Sequence, residues 1–154
     1  MKQFKTICLM LSVAVLATAT PIKPRPEIMG ISLGMSRADA RVRLQSLGTL
    51  EREAQKQQEV WAVKDQRVSH LLVGYDPDFR VRYVTALART GGPRIRYEEV
   101  ADLKHAQRSN NHGNYKFTWE VEARGGKYLL IAHGHDPEYL DSYSVKNLDS
   151  KEID

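Results

Sequence analysis

The chain has 154 residues, 42% of them hydrophobic and 27% charged, with 23 basic against 19 acidic side chains and one cysteine. That length supports a single packed core rather than several domains. A formal charge of +4 is too small to mark a nucleic-acid or anionic-membrane binder, and one cysteine excludes a disulfide framework.

Residues 1–19 read as a signal peptide. Lys2 and Lys5 precede an apolar run from Ile7 to Leu16, and Ala17-Thr18-Ala19 supplies the small residues of a cleavage site. The run is shorter than the roughly 20 residues a transmembrane helix needs, so no membrane span is expected. Cys8 lies inside it, leaves with the signal and is misplaced for lipid attachment. The mature chain keeps 21 basic and 19 acidic residues, and its expected location is exported, periplasmic or secreted. Residues 20–29, with Pro21, Pro24 and Pro26, read as an extended spacer.

The first unit, residues 30–90, opens with a helix. Ser36 is a good N-cap with Asp39 three residues on, Ala40, Leu44 and Leu47 share one face, and Gly48 sits where a left-handed C-terminal residue is wanted. Glu51 to Gln58 is a charged connector that extends the helix or forms a loop. Strands follow over about 59–64, 69–75 and 80–88. Asp65-Gln66-Arg67 and Asp76-Pro77-Asp78 form the turns between them.

The second unit, residues 91–148, follows Gly91-Gly92-Pro93. Its expected helix covers about 97–107, on the strength of Val100 and Leu103 and of Glu98 and Glu99 near the N-terminal end. Asn110-Asn111-His112-Gly113 is expected to close it as a loop. Tyr115, Phe117, Trp119 and Val121 alternate with Lys116, Thr118 and Glu120, the cleanest period of two in the chain. Further strands are expected over 128–133 and 139–147, before a polar tail at 149–154.

The two units echo each other. Trp61, Leu71-Leu72-Val73 and Asp76-Pro77-Asp78-Phe79 with Tyr83 reappear as Trp119, Leu129-Leu130-Ile131 and Asp136-Pro137-Glu138-Tyr139 with Tyr143. Each half alone buries so little of its surface that it would be marginal. The expected fold is therefore α+β: two tandem helix-plus-three-strand antiparallel units sharing one sheet, with the helices on one face and the other face open.

Gly34-Met35-Ser36 opening a helix, its end at Leu47-Gly48, the Trp61 strand, and Leu72-Val73-Gly74-Tyr75-Asp76 followed by Arg80-Val81 resemble the SmpA/OmlA-type and β-lactamase inhibitory protein-type module. The resemblance covers about residues 30–88, with a weaker echo over 96–148. It implies helices against a short antiparallel sheet, in tandem in the inhibitory proteins, and noncovalent binding outside the cytoplasm. The mature chain lacks the lipidated cysteine of the assembly members and the disulfides of the inhibitors, and no binding residue transfers from either.

The expected function is an exported, non-enzymatic binding or inhibitor-like module that contacts a protein partner without a cofactor. Phe79 and Tyr139, beside the Asp-Pro turns, are the candidate contacts, with Tyr75, Arg80 and Arg82 nearby; Trp61, Phe117 and Trp119 read as core. No nucleophile elbow, His-Glu-x-x-His or phosphate loop is present. One alternative is a metal-binding protein or metal-dependent hydrolase. Alternation along a strand would set His133 and His135 on one side, with Asp136 completing the shell. A second alternative is an envelope protein that self-associates through its sheet edges.

Overall fold

The computed structural model describes residues 23–54, 57–123 and 126–148. The expected signal peptide and polar tail lie outside them. The described residues take in the end of the expected spacer, from Lys23. Glu27–Ile28 (β1) and Ile31–Ser32 (β2) form a small hairpin that buries Ile28 and Ile31. Its two-residue tip, Met29 and Gly30, takes φ of 52° and 81°, as a type I′ turn requires.

The helix α1 spans Arg37–Leu47 and buries Ala40 and Leu44. Ser36 caps it by accepting from the Asp39 N–H at 3.2 Å. Gly48 ends it differently from the expectation. Its backbone is extended, with φ −178°, and its N–H donates to the Leu44 carbonyl. A Cβ there would lie 1.8 Å from the Ala62 carbonyl oxygen. Glycine is needed because two backbones touch, not because the chain turns left-handed.

The strands are Gly48–Ala54 (β3), Gln58–Val63 (β4), Val68–Tyr75 (β5), Val81–Ala88 (β6), Ile95–Arg96 (β7), Gln107–Asn111 (β8), Asn114–Ala123 (β9), Gly126–Gly134 (β10), Tyr139–Leu140 (β11) and Ser142–Asn147 (β12). Eight of them, among the described residues, make one antiparallel sheet in the order β3-β4-β5-β6-β12-β10-β9-β8. Each half of the chain runs as a meander, and the last strands of the two meanders, β6 and β12, pair at the centre with Val84 opposite Val145. β7 and β11 form a separate small ladder.

The core lies on one face of the sheet. Trp61, Val63, Leu71, Val73, Val84, Val145, Leu130, Phe117 and Trp119 cluster there with Ile28, Ile31 and Leu44. The opposite face carries, in register across six strands, Val60, Leu72, Thr85, Ser144, Ile131 and Thr118. Most of these, with Leu87 and Leu129 in adjoining rows, are only half-buried.

This architecture overturns the expected fold class. Among the described residues there is one α-helix, not two, and the protein is predominantly β rather than a pair of helix-plus-three-strand units. The expected second helix is two 3-10 turns, Tyr97–Glu99 and Leu103–His105. Asp102 separates them by accepting from the Lys104 N–H at 3.0 Å, while its carbonyl accepts from Trp119 Nε1 at 2.9 Å. A short polar side chain that bonds its own backbone competes with helix formation. The expected connector holds the second half of β3 and the first residue of β4, and the expected loop at Asn110–Gly113 holds the end of β8 and the turn into β9, with His112 and Gly113 at φ 50° and 83°. The expected final strand is interrupted at Asp141, whose N–H donates to the His133 carbonyl at 2.7 Å.

Candidate functional site

The turn between β5 and β6 is built by Asp76. Its Oδ1 accepts from the N–H groups of Asp78 and Arg80, both at 2.9 Å, and its carbonyl accepts from the Phe79 N–H at 3.0 Å. Pro77 presets the turn. The closing position, Phe79, has φ 57°. That is the left-handed position of a three-residue hairpin loop, where glycine or asparagine is preferred. A bulky aromatic there costs of order 1 kcal/mol. The ring is 49% exposed, so burial does not offset that cost.

Phe79 stands beside α1. The Arg37 N–H donates to the Phe79 carbonyl at 2.8 Å, and the Arg37 guanidinium lies 5.8 Å from the ring centroid. On the next turn of α1, Val42 is 71% exposed. Ser36, Arg37, Arg41, Val42, Asp78 and Phe79 line a hollow of about 560 Å³. A smaller hollow of about 300 Å³ continues past Arg41 and Gln45 to Leu50, which is 40% exposed.

Beneath this corner is Glu59, a carboxylate with no exposed surface. Its Oε1 accepts from Arg37 Nε at 2.8 Å and Arg41 Nε at 2.7 Å, and its Oε2 from Trp61 Nε1 at 2.9 Å and the Tyr75 hydroxyl at 3.0 Å. Burial works to raise its pKa, but the four donors outweigh that and hold it below the ordinary glutamate range. The same burial, with the Glu59 charge, pushes the Tyr75 phenol well up. Glu53 adds a second carboxylate, 3.3 Å from Arg37 and paired also with Arg41. The network pins α1 to β3, β4 and β5 and fixes Arg37 and Arg41, which line the hollow with Val42 and Phe79.

The other expected contacts sit differently. Tyr75 is buried in that network and faces no solvent. Arg80 donates to the Gly34 carbonyl at 3.1 Å. Arg82 stacks its guanidinium 5.3 Å from the Tyr83 ring, which itself lies over Gly74 and donates to Gln58 at 2.9 Å. Tyr139 has its ring flanked by Arg94 at 3.9 Å and Arg96 at 5.3 Å, so its face is already occupied. Of the five residues, Phe79 alone has its ring offered to solvent at an exposed apolar corner. Val42 and Leu50 were missed; an apolar residue on the otherwise polar side of α1 was the available signal.

The histidine alternative does not come together. His133 lies on the open sheet face, where burial and the Lys116 charge lower its pKa. His135 follows the end of β10, and its Nδ1–H donates to Asp141 Oδ2, 2.7 Å away. Asp136 spends Oδ1 on the Glu138 and Tyr139 N–H groups and Oδ2 on Arg94 at 2.8 Å. Its carbonyl accepts from the Tyr97 hydroxyl at 3.2 Å, a phenol that burial pushes up to about 12. Among the described residues no three His, Cys, Asp or Glu side chains gather as metal ligands, and no helix is long and apolar enough to cross a membrane.

No protein-family model matches the chain, and no curated protein matches it. Among solved structures it is similar to an extracellular protein containing a SCP domain from Bacillus anthracis str. Ames, with 13% identity and a TM-score of 0.43 over 88% of this chain. The chain spans half the length of that one. A likeness at this level places the chain in no family and says nothing of what it binds.

Proposed function

We propose that this protein is an exported, noncovalent binding module that grips a protein partner at the corner formed by Phe79, Val42 and Leu50. Export rests on the pattern of residues 1–19. The observation that carries the binding reading is Phe79 itself, a half-exposed aromatic kept in a backbone conformation that favours glycine or asparagine. A ring that is strained, outward-facing and set beside two further exposed aliphatic side chains is the composition of an interface anchor. The Glu59 network supplies the rigidity that lowers the ordering cost of docking.

Photo-crosslinking groups at positions 42 and 79 of the full chain test this in its native compartment. Both positions are expected to capture the same protein, and capture from position 42 is expected to vanish in Phe79→Asn. Capture of unrelated proteins from the two positions, or undiminished capture in Phe79→Asn, overturns the reading.

A second contact surface is favoured by the open sheet face, where Leu72, Leu87, Leu129 and Ile131 stand half-buried in the centre of eight strands. Retention of the partner by Phe79→Asn together with its loss in Ile131→Lys would assign binding to that face.

A further inference from the structure

The layer over the core face is assembled from two pieces: α1 with the β1–β2 hairpin beside the first meander, and the 3-10 turns with β7 and β11 beside the second. Between them lies a cavity of about 600 Å³, within the range that holds a small ligand. Its apolar part includes Val68, Ile95 and Leu130, with Ile28, Met29 and Val100. Its rim carries both signs of charge in equal number, and most of that charge is spent. Arg67 pairs with Glu99 at 2.6 Å, and Arg25 faces Glu27 at 3.9 Å.

Lys23 and Asp65 remain, one cation and one anion, with no ion-pair partner among the described residues. Asp65 holds its own turn through Oδ1 alone, which accepts from the N–H groups of Arg67 and Val68, both at 2.8 Å. Its Oδ2 makes no hydrogen bond among the described residues. The Tyr143 hydroxyl, also at the cavity and within reach of the Asp65 charge, makes none among those residues either. Both groups can take a donor from a guest: a carboxylate accepts from ammonium directly, and a phenol oxygen accepts beside it.

We propose that this cavity binds a small zwitterion with an apolar side chain, a free amino acid or short peptide. Its ammonium goes to Asp65 and the Tyr143 oxygen, its carboxylate to Lys23, and its side chain to Val68, Ile95 and Leu130. A guest of only one charge leaves one of the two partners unanswered, and a charged guest without an apolar body leaves the apolar wall wet.

The test is titration of the mature protein, followed through the methyl signals of Val68 and Leu130 and the ring signals of Tyr143. The probes are L-leucine, the dipeptide Leu-Leu, 4-methylpentanoate and 3-methylbutylamine. One of the two zwitterions is expected to give saturable shifts, and which one does so separates amino acid from peptide. Each singly charged analogue is expected to bind at least about tenfold more weakly. Asp65→Asn, which keeps the Oδ1 acceptor and hence the turn, is expected to weaken the zwitterion by about tenfold or more. Absence of saturable shifts from both zwitterions up to about 10 mM overturns the proposal. So does 4-methylpentanoate binding as tightly as the zwitterion, or an unchanged affinity in Asp65→Asn.

Discussion

Arg37 holds Phe79 twice, by a backbone hydrogen bond of 2.8 Å to its carbonyl and by a guanidinium 5.8 Å from its ring, while the Nε of the same guanidinium is fixed on Glu59 at 2.8 Å. An exposed ring is thereby tied to a buried charge through one side chain. The surface corner and the interior network are mechanically one object, and their energetics separate by mutation.

Phe79→Asn removes the strain of a bulky residue at φ 57° without touching the core. Asparagine tolerates this conformation, so folding stability is expected to hold or to rise by up to about 1 kcal/mol. Thermal unfolding checks it. A midpoint lowered by several degrees would show that the ring is held for packing rather than for a partner.

Glu59→Gln leaves two guanidiniums against a neutral group that cannot accept at both oxygens. Breaking one side of a buried ion network costs about 3–5 kcal/mol, and denaturant unfolding is expected to show a loss of that order. Tyr75→Phe removes one donor and is expected to cost less, about 1–2 kcal/mol.

Acid sensitivity follows from the same carboxylate. Its folded pKa lies below its unfolded one, so its contribution is fully present above the unfolded value, about 4.3, and is lost as pH falls through the folded value. Glu99 and Asp136 shift in the same direction, each with burial opposing and backbone and arginine hydrogen bonds prevailing. Urea midpoints are expected to be flat above about pH 5 and to decline below about pH 4. In Glu59→Gln the decline is expected to be shallower.

Gly48→Ala drives a Cβ to 1.8 Å from the Ala62 carbonyl oxygen, a backbone atom that cannot rotate away. Parting β3 from β4 is expected to cost about 3 kcal/mol or more. Gly91→Ala is the control: φ is 79° but nothing lies within 4 Å of the new methyl, and about 1 kcal/mol is expected. Comparable losses at the two positions would contradict the close-approach account.

Zinc equilibrium dialysis addresses the histidines. With His135 engaged by Asp141 and Asp136 by Arg94, uptake is expected to be substoichiometric and unchanged in the His133→Ala, His135→Ala double variant. Stoichiometric zinc lost in that variant would restore the metal alternative.

Local signals in the sequence were legible where one residue did one job. Ser36 and Asp39 mark the start of α1, Asp76-Pro77 marks a turn, and the alternation of Tyr115, Phe117 and Trp119 gives β9 its buried face. The second helix failed because Val100 and Leu103 are too few to define a face, and the bond from Trp119 to the Asp102 carbonyl is a tertiary fact. Glu59 was legible in principle. It shares parity with Trp61 and Val63, which should have marked it as inward-facing, but its four donors come from three elements and none of those distances is written in sequence. The corner at Phe79 was read as a place and not as a conformation, because nothing in Asp-Pro-Asp-Phe announces a phenylalanine where glycine or asparagine is favoured.

Because β6 and β12 are the pair that joins the two meanders, residues 83–87 find their partners on that side only when residues 142–146 have been synthesised. Until then β6 offers a bare hydrogen-bonding edge, with Val84 and Ala86 uncovered, and the first half waits as an incomplete sheet. Such late closure makes assembly slow for the size of the chain and leaves it dependent on holdase protection while it emerges. A nonsense codon between positions 89 and 142 would leave β6 with an open edge, and proteases are expected to clear such a product rather than leave a half-sized module behind.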